Sequence, residues 1–149
     1  LMKCGMQVNK ASPSTFGTLL ASAFMEAGKA VSGRKEIGTA ELEVLGAAAV
    51  DGIRKRGKAQ AGEKTMLDSL IPAVEAFRQA QARGDDGRAA IEAAIEAAKA
   101  GMIATAGMKA KYSRASYRQD GGMGVQDPGA TAMYYLIEGL RRSLISRLR

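Results

Sequence analysis

The sequence predicts an all-α protein, an antiparallel helical barrel or bundle that lacks its first helices. Aromatic residues make up 5% of the chain and tryptophan is absent, whereas hydrophobic residues make up 46%. A core built mainly from Ala, Leu, Ile and Met favours close-packed helices over strands. Apolar residues recur at three- and four-residue spacing, and no segment alternates for long enough to form a strand. At 149 residues the chain is long enough for one domain with a sizeable core.

The first part of the chain contains two predicted helices after an apolar stretch, residues 1–8. This stretch has no helix start signal and the chain does not begin with Met, so we interpret it as the end of a helix entered earlier. After a short turn, a helix is predicted from Ser14 to Val31. Thr39 is the predicted cap of the next helix, which continues to about Arg56. The predicted inward residues are Phe16, Leu19, Leu20, Ala23, Phe24 and Ala27 in the first of these helices and Leu42, Leu45, Ala49 and Ile53 in the second.

Three further helices are predicted in the second part of the chain. The first covers residues 65–82. Asp85 or Asp86 is the predicted cap of the second, which continues to about Lys111. The last covers residues 128–148, and short loops between such helices indicate antiparallel neighbours. The predicted inward residues are Leu67, Leu70, Ile71, Val74 and Phe77; then Ile91, Ile95, Ala98, Met102 and Thr105; then Met133, Leu136, Ile137, Leu140, Leu144 and Leu148.

Charge does not indicate a nucleic-acid partner. The net charge is +7, and four arginines lie near the end of the chain, at positions 141, 142, 147 and 149. A nucleic-acid surface requires a basic face interleaved with stacking aromatics, or a known motif, and we find neither in the sequence. We interpret the arginines as solvating the last helix and favouring its negative end.

Other absences narrow the functional classes. The sequence contains no histidine, so a phosphohistidine, a histidine general base or a histidine metal ligand cannot be supplied by this chain. No apolar run reaches the ~18 residues that span a bilayer, and no signal-peptide pattern is visible. The single cysteine, Cys4, fits a reducing compartment. We therefore expect a cytoplasmic protein without a membrane partner.

Two glycine-containing joints between predicted helices carry the functional signal: the first joint, residues 56–68, and the second joint, residues 114–129. Each ends where a helix begins. Thr65 has an acid three residues later, as in a capping box, and Asp127 precedes a proline, the order expected at a helix N-terminus. Helix N-termini present unpaired N–H groups and a partial positive charge that attract phosphate. Two such joints in one helical domain predict a nucleotide site.

The first joint is not a P-loop. Residues 57–65 read G-K-A-Q-A-G-E-K-T, which departs from the Walker A pattern by one inserted residue, Glu63. A P-loop also follows a strand, whereas a helix precedes this joint. Phosphate can still bind here if Gly57 ends one helix and Lys64 adds a point charge beside the next. The alternative is an ordinary interhelical loop.

The second joint offers several groups that suit a phosphorylated ligand. Arg114 has a forked guanidinium for phosphate or for stacking on a base. Gly129 allows the backbone to approach a ligand closely. The glycine-rich residues 121–124 predict a mobile loop that closes over a ligand or contacts a partner. The alternative is that Asp127 only caps a helix and Arg114 pairs with a surface acid.

Both joints resemble a known family. The first is similar to the RGKA…GDKTM…D segment of the L-subunit, or nucleotide-binding, domain of dihydroxyacetone (glycerone) kinases, with Glu63 in place of Asp. The second resembles that family's GRASY…DPGA segment, here residues 113–117 and 127–130. A weaker match is Ala11-Ser12 followed by Phe16-Gly17, which is similar to GGASGPLFG. The resemblance covers nearly the whole chain.

This resemblance implies a helical barrel whose rim holds ATP or ADP, with magnesium bridging the phosphates. The phosphoryl group passes to dihydroxyacetone, or a related small ketose, held on a partner subunit or domain where a histidine binds the ketone. In some members ATP is the donor; in others a phosphohistidine protein of the phosphotransferase system rephosphorylates bound ADP. The resemblance implies no catalytic residue and no metal ligand among the matched positions. The implied nucleotide contacts are Ala11, Ser12, Gly57, Met66, Arg114, Asp127 and Gly129.

The sequence also departs from the family pattern. The family holds magnesium with aspartates of a G-D-x-D-H-G motif near the start of the domain, and this chain has no counterpart. We therefore expect the domain, residues 1–149, to be N-terminally incomplete and inactive as an isolated chain. Asn9, Lys10 and Pro13 replace family glycines that let the backbone approach phosphate. These differences favour an alternative: a non-catalytic regulatory or interaction module derived from the same fold.

Overall fold

A computed structural model of the chain describes residues 1–147, except for the side chains at positions 142, 146 and 147. The described residues form α-helices and short 3-10 turns and contain no strand, which confirms the all-α prediction. The helices are α1 (Met2–Ala11), α2 (Thr15–Ala30), α3 (Thr39–Gly57), α4 (Leu67–Ala82), α5 (Gly87–Ala104) and α6 (Pro128–Arg147), and the 3-10 turns are Thr105–Gly107 and Arg114–Tyr117. No helix in this part of the chain is long and apolar enough to cross a bilayer.

The helices divide into two compact units, Leu1–Lys58 and Ala59–Arg149. The first contains α1 to α3, and the second contains α4 to α6 with both 3-10 turns. Whether the two units act as one domain, as the sequence analysis expects, stays a prediction.

The first unit packs its helices through small residues. A Cβ placed on Gly5 would lie 2.8 Å from the carbonyl oxygen of Ala21, so α1 and α2 approach each other closely. A Cβ on Gly52 would lie 2.6 Å from the carbonyl oxygen of Ser22, which shows the same for α2 and α3. Buried positions among the predicted inward residues are Leu20, Ala23, Ala27 and Ile53. Glycines at the contacts therefore allow α2 to pack closely against both α1 and α3.

Helix starts in the first unit follow local capping chemistry. The Ser14 hydroxyl accepts a hydrogen bond from the Gly17 N–H at 3.0 Å and caps α2. The predicted cap of α3 is wrong by one residue. Thr39 is the first helical residue, and the Glu41 carboxylate accepts the N–H of the capping residue, Gly38. Because Gly38 has no side chain, the carboxylate of Glu41 makes the capping hydrogen bond in place of a hydroxyl group.

The second unit buries the predicted faces of α4 and α5. The buried members are Leu67, Leu70, Phe77, Ile91, Ile95, Ala98 and Met102. Pro72 lies inside α4 and has no N–H, so the carbonyl of Asp68 lacks its usual helical donor. Gly101 of α5 lies against this carbonyl, since a Cβ on Gly101 would come within 2.0 Å of the oxygen. This close approach sets the position of the first turn of α4 against α5.

Two predictions, for the end of α5 and for the buried face of α6, are wrong. The helix predicted to reach Lys111 ends at Ala104, because the chain tightens into the 3-10 turn Thr105–Gly107. Leu140 is 49% exposed rather than inward. There α6 contacts α5 through an ion pair between Arg141 and Glu92, at 2.6 Å. Leu148 lies outside the described residues.

We predict that Gly101→Ala destabilises the protein by about 1–3 kcal/mol, because the added methyl group overlaps a backbone oxygen that cannot rotate away. The better helix propensity of alanine, worth about 1 kcal/mol, offsets only part of this cost. Urea unfolding measures the change. The matched control is Gly139→Ala in α6, where nothing lies within 4 Å of the added carbon, and it should leave stability unchanged or raise it. Equal effects of the two substitutions would contradict the close packing of α4 and α5.

Candidate nucleotide site

The first joint is organised by the carboxylate of Asp68 in the first turn of α4. It accepts hydrogen bonds from the N–H groups of Gly62 and Thr65, the latter at 2.7 Å. The Thr65 hydroxyl in turn accepts the N–H of Leu67 at 3.2 Å. The Asp68 carboxylate thus reaches back to the Thr65 N–H, as in a capping box, but the predicted helix start at Thr65 is two residues early: α4 begins at Leu67 and its capping residue is Met66. As a consequence, a protein carboxylate, rather than a free ligand, occupies two amides of this corner.

The second joint is organised in the same way by Asp127. Its carboxylate accepts the Ala130 N–H at 2.7 Å and also the N–H of Gly129. Asp127 is buried, and this desolvation raises the pKa of its carboxyl group, whereas the two amides and the nearby Lys64 charge act in the opposite direction. The predicted cap of the last helix is therefore confirmed. The carboxylate stands where a phosphate oxygen would otherwise meet the N-terminus of α6.

The two corners lie beside each other within the second unit. A Cβ on Gly129 would lie 3.5 Å from the backbone nitrogen of Met66 and 3.6 Å from its Cβ. Three of the predicted contacts, Met66, Asp127 and Gly129, are thus neighbours. That they bind a nucleotide stays a prediction.

Lys64 does not serve the role expected from the sequence. Its side chain is 4% exposed, and Nζ donates hydrogen bonds to the carbonyl oxygens of Thr105 and Val125, both at 2.6 Å. A buried ammonium group needs such acceptors to offset the loss of water. The predicted point charge for phosphate is therefore wrong, because the ammonium points into the protein.

Thr105 makes buried hydrogen bonds that the sequence did not predict. It is fully buried directly after α5, and its hydroxyl donates to the Met102 carbonyl and accepts the Asp127 N–H at 2.9 Å. The apolar pattern correctly placed Thr105 among the buried residues, although it lies in the 3-10 turn after α5 rather than in the predicted helix. A threonine at an otherwise apolar inner position was the available signal that a buried polar contact exists there.

Arg114 begins the 3-10 turn of the second joint, where the Ser113 hydroxyl caps the turn. The Arg114 side chain is exposed, and its guanidinium has no hydrogen bond or ion pair with the residues that the structure describes. The alternative in which Arg114 pairs with a surface acid is therefore not supported. The Lys111 ammonium, three residues before the second joint, binds the Glu63 carboxylate of the first joint, which lowers the pKa of Glu63.

The glycine-rich stretch of the second joint is a hydrogen-bonded turn. Asp120 accepts bonds from Arg118 and from the Gly122 N–H, which lowers the pKa of Asp120 to about 2. Gly122 has φ +73°, and a Cβ there would lie 3.2 Å from the Cβ of Ala115 and 3.6 Å from Cε of Lys64. Only glycine combines this backbone conformation with so close an approach. The predicted mobility of this loop stays a prediction.

The remaining predicted contacts, Ala11, Ser12 and Gly57, belong to the first unit. A surface cleft of about 870 Å³ lies there, and its lining residues are Asn9, Pro13, Ser14, Thr15, Thr18, Leu19, Arg56 and Gly57. Ala11 and Ser12 immediately precede one wall, whereas Gly57 is part of the cleft. Gly57 is the last residue of α3, and the left-handed residue that ends the helix is Lys58, with φ +55°. The predicted helix stop at Gly57 is therefore displaced by one residue.

Gly17 accounts for the glycine in the weaker of the three sequence matches. A Cβ on Gly17 would lie 2.1 Å from the carbonyl oxygen of Ser12. The turn between α1 and α2 thus folds directly onto the first turn of α2. This packing fixes the position of Ser12 at the edge of the cleft.

The described residues do not suit a magnesium site. Within residues 1–147, no three His, Cys, Asp or Glu side chains lie close enough together to hold a metal ion. Asp68 and Asp127, the carboxylates of the two corners, are engaged by backbone amides. Carboxylates of a magnesium site need free oxygens directed at the ion.

The described residues thus form an all-helical protein in which the N-termini of α4 and α6 lie side by side and each is capped by a buried aspartate. The DAK2 domain family matches residues 1–142, and the chain belongs to this family. It is 34% identical, over 140 residues, to the "PEP-dependent dihydroxyacetone kinase, ADP-binding subunit DhaL" of Escherichia coli K12; the match covers 94% of this chain and 67% of that protein.

Two further relatives carry similar names. The "PEP-dependent dihydroxyacetone kinase 2, ADP-binding subunit DhaL" of Listeria innocua is 33% identical over 147 residues, 97% of this chain and 66% of that protein. The "PTS-dependent dihydroxyacetone kinase, ADP-binding subunit DhaL" of Lactococcus lactis is 36% identical over 124 residues, 83% of this chain and 56% of that protein. The chain therefore spans between 56% and 67% of the length of these three relatives.

We predict that wild-type protein gains stability relative to Asp127→Asn as the pH falls from about 7 to about 4. Burial raises the pKa of Asp127, so the folded state binds the proton more tightly than the unfolded chain, and ionisation at higher pH costs stability. Urea unfolding of both proteins across this range measures the difference.

Asp120→Asn is the matched control, with the opposite sign. The pKa of Asp120 is lowered to about 2, so wild type should lose stability relative to this variant as the pH falls below 3.8, the ordinary pKa of an aspartate. If wild type lost stability relative to Asp127→Asn on acidification as well, the assignment of Asp127 as a buried, costly carboxylate would be wrong.

Proposed function

We propose that this chain is the ATP- or ADP-binding component of a dihydroxyacetone (glycerone) kinase. In this function it holds the nucleotide while a phosphoryl group passes to dihydroxyacetone, or a related small ketose, on a partner subunit or domain. The observation that supports the proposal most strongly is the meeting of the α4 and α6 N-termini, where Met66 and Gly129 are neighbours. The names of the relatives, which are ADP-binding subunits of such kinases, agree with it.

One backbone amide at this meeting point remains available. Met66 is 2% exposed, and its N–H has no acceptor within residues 1–147, whereas the neighbouring corner amides are taken by Asp68 and Asp127. Buried N–H groups without a partner are rare in native proteins. An acceptor atom of a bound nucleotide would satisfy this donor. Gly129, beside it, keeps the space that a side chain would fill.

Arg114 supplies the charge that the buried Lys64 does not. Its exposed guanidinium is unpaired among the described residues and carries donors in the fork geometry that phosphate accepts. In the second unit the proposed nucleotide contacts are therefore Met66, Arg114, Asp127 and Gly129. In the first unit they are Ala11, Ser12 and Gly57, at or beside the cleft of about 870 Å³.

The chemistry proposed for this chain is positioning and electrostatic stabilisation, which carry most of the catalysis in phosphoryl transfer. The sequence contains no histidine, so binding of the ketone through a histidine, and any phosphohistidine step, belong to partner components. The donor is ATP itself or a phosphohistidine protein of the phosphotransferase system that rephosphorylates bound ADP. Magnesium, when bound, neutralises phosphate charge, and its ligands come from outside the described residues. We place this activity in cytoplasmic glycerol metabolism.

We predict that the full-length protein binds ADP in the presence of magnesium and that Arg114→Ala weakens this binding about tenfold, since a charged hydrogen bond to phosphate contributes about 1.5–3 kcal/mol. Isothermal titration calorimetry measures both affinities. Arg88→Ala, an exposed arginine near the start of α5, is the control and should bind ADP like wild type. No binding at millimolar ADP would contradict the kinase role and favour the non-catalytic module.

A further inference from the structure

Lys64 connects three segments that are distant in sequence. Its backbone belongs to the first joint, and its ammonium binds the carbonyl of Thr105, 41 residues later, and that of Val125, 61 residues later. Val125 lies two residues before Asp127, the cap of α6. One side chain therefore connects the first joint, the end of α5 and the second joint.

Thr105 continues this connection to the cap itself. While its carbonyl accepts from Lys64, its hydroxyl accepts the backbone N–H of Asp127 at 2.9 Å. The Asp127 carboxylate then holds the N–H groups of Gly129 and Ala130. Buried hydrogen bonds to different groups of Thr105 and Asp127 thus connect the Lys64 ammonium with the first turn of α6.

Stability alone does not require this arrangement. A buried ammonium group loses its hydration, and an apolar side chain of similar size would fill the space without that loss. Lys64 also adopts φ +59°, a left-handed conformation that is uncommon for a residue with a Cβ. The chain therefore retains a buried charge and an unfavourable backbone conformation at the same position, which indicates a role in placing its partners.

We propose that Lys64 and Thr105 together are positioning residues: Lys64 holds the Thr105 backbone, and the Thr105 hydroxyl fixes Asp127 and the N-terminus of α6 against Met66. This inference deepens the proposed function, because the placement prepares the Met66 N–H and the Gly129 backbone for one ligand, the nucleotide. The positioning itself is a property of the free protein. It can therefore be tested separately from ligand binding.

The test uses Thr105 variants of the full-length protein, because Lys64→Met leaves the carbonyls of Thr105 and Val125 without their donor and can prevent folding. Thr105→Val keeps the shape of the side chain and removes the hydroxyl, while Thr105→Ser restores it. The matched control is Ser69→Ala, which removes another fully buried hydroxyl, bonded to the Ala98 carbonyl at 3.0 Å, between α4 and α5. Thr105→Val removes two buried hydrogen bonds, to the Met102 carbonyl and from the Asp127 N–H, whereas Ser69→Ala removes one, so Thr105→Val should destabilise the protein more.

Amide hydrogen exchange in the free protein gives the first readout. Loss of the hydroxyl frees the Asp127 N–H directly, so faster exchange at Asp127 is expected with or without a positioning role. Positioning predicts more: Thr105→Val should also speed exchange at Gly129 and Ala130 about tenfold, although neither amide contacts Thr105. Thr105→Ser should return these rates to wild type, and Ser69→Ala should not change them.

ADP affinity gives the second readout. Thr105→Val should weaken ADP binding about tenfold relative to wild type and to Ser69→Ala, with recovery in Thr105→Ser. If Thr105→Val changes only the Asp127 amide and binds ADP like Ser69→Ala, the positioning role is overturned. If wild type itself binds no ADP, the proposed function is wrong, and so is the part of this inference that concerns the nucleotide. Faster exchange at Gly129 and Ala130 in Thr105→Val would still support the placement of α6.

Discussion

The second unit depends on one buried cation. The Lys64 ammonium is removed from water and must therefore find acceptors in the protein, and it finds them on two segments far along the chain, at Thr105 and Val125. Because these hydrogen bonds form together or leave a charge unpaired, they fix the relative positions of the first joint, the end of α5 and the second joint. The neighbouring starts of α4 and α6 follow from this constraint.

At the proposed nucleotide site, both helix starts already hold carboxylates of the protein itself. Helix N-termini attract anions, and here the anions nearest the amides are Asp68 and Asp127. Their carboxylates satisfy most of the corner amides and hold the local backbone in one conformation. The Met66 N–H and the Arg114 guanidinium remain for a ligand. In the proposed site, the carboxylates of Asp68 and Asp127 thus hold the backbone in place, and other groups, the Met66 N–H and the Arg114 guanidinium, contact the ligand.

The features that sequence predicted correctly are those set by local chemistry. Apolar spacing identified the inner faces of α2 to α5, and acids three residues beyond Thr65 or within Asp127-Pro128 identified the helix starts, because capping involves only a few consecutive residues. The direction of Lys64 could not be predicted, since its acceptors lie 41 and 61 residues away. The role of Thr105 was missed for the same reason.

A crystal structure of the full-length protein with ADP would show directly whether the buried Lys64 ammonium holds its place beside a bound nucleotide. We predict that it stays on the carbonyls of Thr105 and Val125, while ADP accepts the Met66 N–H and contacts Arg114. A structure in which Lys64 leaves those carbonyls to bind a phosphate, or in which ADP lies away from Met66 and Gly129, would contradict this prediction.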